Sequence, residues 1–156
     1  MSGGAAAVGV GVGIALIVAI SLFPVKAQYN GNIENVVITM ERTVCFGACP
    51  AYQVTIHGNG LVEYEGHQFV AVTGKQTAQI SQEQVQELVN AFYDARFYNL
   101  RDRYEANVSD LPSTTTSITT ENGTKSVYRY GFGPDRLIML EDKIDEIAGT
   151  EKWVKQ

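Results

Sequence analysis

Apolar and polar residues alternate along most of this chain, but its first stretch does not alternate at all. Residues 5–23 carry no charge, and Ser21 is their only polar side chain. Coiled as a helix, such a run rises about 28 Å, close to the thickness of a bilayer core. It therefore predicts a membrane-spanning helix or a secretory signal. Val25 and Ala27 fit a small-x-small cleavage pattern, with the cut after Ala27. Residues 1–4 lack the Lys or Arg of a usual signal n-region, which favours an uncleaved anchor. Both readings stay open. Lys26, the nearest cation, lies on the C-terminal flank, where the positive-inside rule would hold that flank inside. One lysine is a weak constraint, and the rest of the chain outweighs it. Gly9 and Gly13 form a Gly-x-x-x-Gly pair, a spacing that lets two membrane helices pack closely.

Residues 28–35 read as a polar linker, after which the period becomes two. Val36, Ile38 and Met40 predict a first strand, and Tyr52, Val54 and Ile56 a second. Gly58-Asn59-Gly60 is a tight hairpin signal. Val62 and Tyr64 share one face of the return strand, with Glu63 and Glu65 on the other. Gly66-His67-Gln68 predicts another turn, and residues 69–73 a fourth strand. Ser81 and Gln84 then form a capping box, and Val85, Leu88, Val89 and Phe92 recur at helical spacing. That helix is predicted to end near residues 98–100, with a polar loop over 101–112.

The Thr-rich stretch 114–120 predicts a strand, Asn122-Gly123 a hairpin turn, and Val127, Tyr128 and Tyr130 its return. Pro134 suits the first turn of a last helix, striped by Leu137, Leu140, Ile144 and Ile147 and capped by Gly149. Glu141, Asp142, Asp145 and Glu146 are assigned to its solvated side rather than to a metal site. The order ββββ-α-ββ-α predicts an α+β fold, an antiparallel sheet of about six strands with two helices on one face. The chain thus divides into an apolar anchor or signal (1–27), a linker (28–35) and an α+β domain (36–156).

Charge narrows the partners. The formal net charge is −5, and without Lys26 the domain carries −6. No basic stripe suggests nucleic acid, and docking on anionic lipid by charge alone is disfavoured. Membrane lipid enters as a partner only through residues 5–23. Hydrolase, metalloprotease, P-loop and Rossmann signatures are all absent from the sequence, so no catalytic residue and no cofactor is assigned. Tyr52, Tyr64, Tyr128 and Tyr130 could line a groove. Asn107-Val108-Ser109 and Asn122-Gly123-Thr124 match the N-glycosylation pattern.

Cys45 and Cys49 are the only cysteines, with Gly47 between them and Pro50 after. In an exported chain oxidation is their default fate, and a turn can bring them within bonding reach. So small a ring contributes about 2 kcal/mol on the chain-entropy model. A redox dithiol is a second reading, although the spacing is not Cys-x-x-Cys. A third is a metal site completed by His57 and His67, the only histidines.

The block Cys45-Phe46-Gly47-x-Cys49-Pro50-x-Tyr52, with Gly58-Asn59-Gly60 and Tyr64-x-Gly66, resembles the opening of an uncharacterised domain-of-unknown-function family, DUF6438. Phe97-x-x-Leu100-x-Asp102-x-Tyr104, Asp110-x-Pro112, Gly123-x-Lys125 and Trp153 resemble its later parts, so the likeness runs over residues 36–154. It implies an exported or membrane-attached protein and brings no activity. The expectation is a non-enzymatic, membrane-tethered extracytoplasmic domain, a binding module or accessory subunit with a protein partner in a membrane complex. If residues 1–27 are cleaved, the protein is secreted. The alternative is a thiol redox or metal-binding protein centred on Cys45 and Cys49.

Overall fold

The computed structural model describes residues 3, 4 and 29–155, so the apolar run and its Gly9–Gly13 pair lie outside the described residues. Among the described residues, no helix is long and apolar enough to cross a membrane. The elements are β1 (Val37–Arg42), β2 (Ala51–His57), β3 (Leu61–Gln68), β4 (Gly74–Gln79), α1 (Gln82–Asp94), β5 (Arg103–Glu105), β6 (Ser113–Thr120), β7 (Gly123–Tyr130), α2 (Asp135–Ala148) and α3 (Glu151–Val154). The seven strands form one sheet in the order β4-β3-β2-β1-β6-β7-β5. Every pairing is antiparallel except β5 with β7. The fold is α+β.

Alternation decides which face of the sheet is covered. Ile38, Met40, Val54, Ile56, Val62, Ile118 and Val127 point to one side and are fully buried. They share a single core with Val85, Leu88, Val89 and Phe92 of α1 and with Leu137, Leu140 and Ile144 of α2. The opposite face is polar, and there Thr39 and Ser117 join their hydroxyls at 2.6 Å across β1 and β6. The Ser81–Gln84 capping box is formed at the start of α1, and Gly149 ends α2 in the left-handed region at φ 65°.

Five elements differ from the sequence reading. β3 runs through Gly66 and His67, and the fourth strand begins at Gly74 instead of Phe69. The chain turns at Phe69, whose φ is 55°, so Val70 plugs the core instead of extending a strand. α1 stops at Asp94, because Arg96 enters the left-handed region and a 3-10 turn follows over Phe97–Asn99. That reversal buries Phe97 edge-on against Phe92, at 4.8 Å between ring centres. The loop over 101–112 contains β5, whose three residues are too few for periodicity to register. After Gly149 the chain adds α3, which stacks Trp153 on Tyr64 at 4.8 Å.

Gly58 closes the end of the sheet where the described domain begins. Its N–H donates to the Val36 carbonyl at 2.8 Å. A Cβ there would lie 1.9 Å from the Ile33 carbonyl oxygen and 2.7 Å from the Glu34 Cα, both backbone atoms. Gly58→Ala is therefore expected to cost about 1–3 kcal/mol through forced backbone displacement, read as a lowered urea midpoint.

Candidate binding surface

The strand register sets β1, β3, β5 and β7 to end, and β2, β4 and β6 to begin, at one and the same end of the sheet. The connections there carry five of the seven exposed large apolar side chains found among the described residues: Val44, Phe46, Phe69, Val108 and Phe132. Phe46 is 88% exposed and Phe132 72%. Backbone bonds tie these loops together. The Phe46 N–H donates to the Asp110 carbonyl at 3.1 Å, Thr43 N–H to the Ser113 carbonyl at 3.0 Å, and Gly131 N–H to the Pro112 carbonyl at 3.1 Å. Cys45 and Cys49 are joined by a disulfide, with their Cα atoms 5.5 Å apart. The ring they close contains Phe46, Gly47 and Ala48. Beside Phe132, a shallow cavity of about 410 Å³ is walled by Arg101, Arg103, Tyr104 and Glu105. Arg101 lies 4.8 Å over the Tyr104 ring, and Arg103 4.1 Å over that of Tyr128.

Directly beneath the loops, the covered face of the sheet turns polar. Tyr52, Arg42, Thr114 and Arg129 are consecutive register partners, one transverse row across β2, β1, β6 and β7. α2 lays Glu141 and Asp145 on this row. Arg129 Nε and Nη2 donate to the Glu141 carboxylate at 3.0 and 2.5 Å, and Nη2 also donates to Thr114 Oγ1 at 3.1 Å. Its Nη1 donates to the Gly131 carbonyl, one residue before Phe132. Arg42 donates to Asp145 Oδ2 at 2.9 and 3.1 Å. Tyr52 and Thr150 hydroxyls donate to Asp145 Oδ1 at 2.6 and 2.7 Å. Burial opposes the Arg42 charge, but Asp145, Tyr52 and Glu141 outweigh it and hold its pKa above the ordinary value. Two guanidinium groups face two carboxylates, with their polar atoms turned on one another. The chemistry available to this cluster is fixing α2 and the Gly131 loop.

The family model described as a domain of unknown function, DUF6438, matches residues 36–148. The chain belongs to this family. The matched span holds the whole sheet, both long helices and every loop of the apolar end. It stops short of Trp153 and α3, which the resemblance had included. None of the curated proteins matches the chain.

Within the DUF6438 domain, the candidate metal ligands are dispersed. Cys45 and Cys49 are bonded to each other, His67 is on β3 near their end, and His57 sits at the far end of β2. His57 Nε2 lies 2.6 Å from Glu63, an exposed pair on the polar face. Among the described residues, no group of three His, Cys, Asp or Glu side chains could hold a metal ion. The four tyrosines do not share a groove. Tyr52 and Tyr64 are buried in the core, while Tyr128 and Tyr130 lie on the other face.

The solvated assignment of the α2 acids fails at Glu141, which is 1% exposed, and in part at Asp145. The missed residues carried a signal. Arg42 is in phase with Ile38 and Met40, Arg129 with Val127, and Glu141 is four residues from Leu137. Phase with these apolar neighbours places each of the three inward despite its charge.

The pair should behave as a buried ion pair. Glu141→Ala strands Arg129 and is expected to cost about 3–5 kcal/mol, whereas Arg129→Met combined with Glu141→Leu should recover most of it. Urea denaturation of both variants checks this. Equal losses would remove the pair from its organising role.

Alkaline pH should destabilise the domain. Burial raises the Tyr52 hydroxyl pKa, and the Asp145 carboxylate raises it further against the opposing pull of Arg42. Tyr98 is pushed up to about 12 by burial and then by Tyr93. A folded pKa above the ordinary 10.0 means that the contribution is complete below pH 10 and is lost as pH climbs through the folded value. The melting temperature should hold to about pH 10 and then fall, with Tyr98→Phe and Tyr52→Phe each flattening the decline.

Proposed function

We propose that this DUF6438 protein is a non-enzymatic extracytoplasmic binding module, held at a membrane through residues 5–23 as an accessory part of a membrane assembly. The observation that carries this reading is the Cys45–Cys49 disulfide beneath a fully presented Phe46. Disulfides persist in oxidising compartments, and residues 5–23 supply a means of reaching one. Contact with a partner, rather than turnover, suits the arrangement. The charged cluster is consumed in internal pairing, and the exposed chemistry of the loop end is aromatic and aliphatic. Such a surface on a folded domain marks an interaction site.

Intact mass of the native protein, read with carbonate extraction of membranes and thiol titration, tests the proposal. The expected result is a full-length chain, lighter by two hydrogens, resistant to extraction and without free thiols. A chain beginning at Gln28 would make the domain a secreted one. Recovery from the cytosol as a soluble, full-length, reduced protein would overturn the reading.

A further inference from the structure

The loop end forms a ridge rather than a scatter of apolar residues. The bend holding Phe69 follows β3, the ring holding Phe46 joins β1 to β2, and Phe132 follows β7. At about 4.8 Å between strands, β3 to β7 spans about 19 Å. The other two exposed large apolar side chains, Tyr98 and Met139, lie on the 3-10 turn after α1 and on α2. Among the described residues, two of the three non-glycine residues with positive φ, Phe69 at 55° and Asp110 at 69°, also belong to these loops. A bulky aromatic in that region is strained, and such strain concentrates at ligand-contacting segments.

We infer that this ridge docks a partner protein whose contact surface is an apolar patch bordered by carboxylates. Three considerations select that occupant, the first of them resting on the membrane tether proposed above. From residue 23 to Tyr29 the chain reaches at most about 21 Å. Tyr29 and its neighbours contact the opposite end, where Asn32 N–H donates to Glu121 in the β6–β7 turn at 3.4 Å. β6 alone measures about 27 Å along its eight residues. The ridge therefore cannot stand end-on against the membrane that holds the tether, which argues against lipid as its cover. Second, the domain's charge of −6 opposes a second copy of itself. Third, the cavity beside Phe132 holds two arginines and one carboxylate, a local cationic excess on an acidic domain. Carboxylates on a partner complement it, and aromatic residues with arginine are the usual anchors of protein interfaces.

Photo-crosslinking of the full-length chain in its native membranes tests this. Benzoylphenylalanine is introduced in separate variants at Phe46, Phe132 and, as an exposed control, Met139. Positions 46 and 132 should yield one discrete protein adduct, and position 139 none. The crosslinked peptide of the partner should be apolar and richer in Asp and Glu than in Lys and Arg. Adding Arg101→Glu and Arg103→Glu should lower the yield at least tenfold, while the purified double variant keeps its melting temperature within about 3 °C. Adducts to lipid, to a second copy of the chain or to many proteins alike, or no adduct from membrane-held chain, would overturn the inference. So would a yield indifferent to the arginine reversals. The same adduct from a chain that carbonate releases would leave the ridge standing and remove the tether.

Discussion

The Glu141 carboxylate lies 1% exposed beneath α2, where a lone charge would cost several kcal/mol to hold. Arg129 reaches it from β7 with two nitrogens, and Arg42 stands 3.9 Å away on the neighbouring side. Net stability is not the main product of such a pair, since desolvation consumes most of the attraction. Its product is position. A helix striped only by Leu137, Leu140 and Ile144 could slide along the sheet at little cost in burial. Once Glu141 must meet Arg129, and Asp145 must meet Arg42 and Tyr52, one register of α2 remains.

The same guanidinium that fixes the helix also fixes a loop. Arg129 Nη1 donates to the Gly131 carbonyl, and a Cβ on Gly131 would lie 2.3 Å from Leu111 Cδ1. The chain is thus clamped on both sides just before Phe132. Thr43 follows Arg42 directly and bonds Ser113 through backbone and hydroxyl, so the Cys45–Cys49 ring also rises from an anchored base. Phe46 and Phe132 thus stand on anchored loops. An apolar side chain on a rigid support loses little entropy when it is covered, which is the condition for an effective contact surface.

Much of the layered core was legible. Alternation marked β1, β2, β3 and β7, the Ser81–Gln84 box marked the start of α1, and Gly149 marked the end of α2. What escaped was governed by tertiary contacts. α1 stops where Arg96 turns left-handed and Phe97 packs edge-on against Phe92, and no Gly or Pro marks that point in the sequence. The Phe69 turn carries no Gly, Asn or Pro, so its positive φ left no mark in the sequence. β5 draws its identity from β7, with only three residues of its own. The loop end was half legible. The cysteine ring stood out by spacing, but nothing local joins Val108 or Phe132 to Phe46, because only the register brings their loops to one end.

The two ends of the sheet are built on opposite terms, and this asymmetry gives the fold its direction. The end beside Tyr29 is closed by polar turns at Gly58-Asn59-Gly60 and Glu121-Asn122. Backbone there is packed so tightly that Gly58 has no room for a methyl group. The other end spends its one covalent crosslink and its buried charges on loops whose outward side chains are apolar. A domain needing only stability would have turned Phe46 inward, since burial of a phenylalanine is worth about 1.5–3 kcal/mol. The disulfide, closing a ring of so few residues, adds about as much. On the binding-module reading proposed above, a crosslink in the loop that carries an exposed aromatic suits a contact held ready for another molecule.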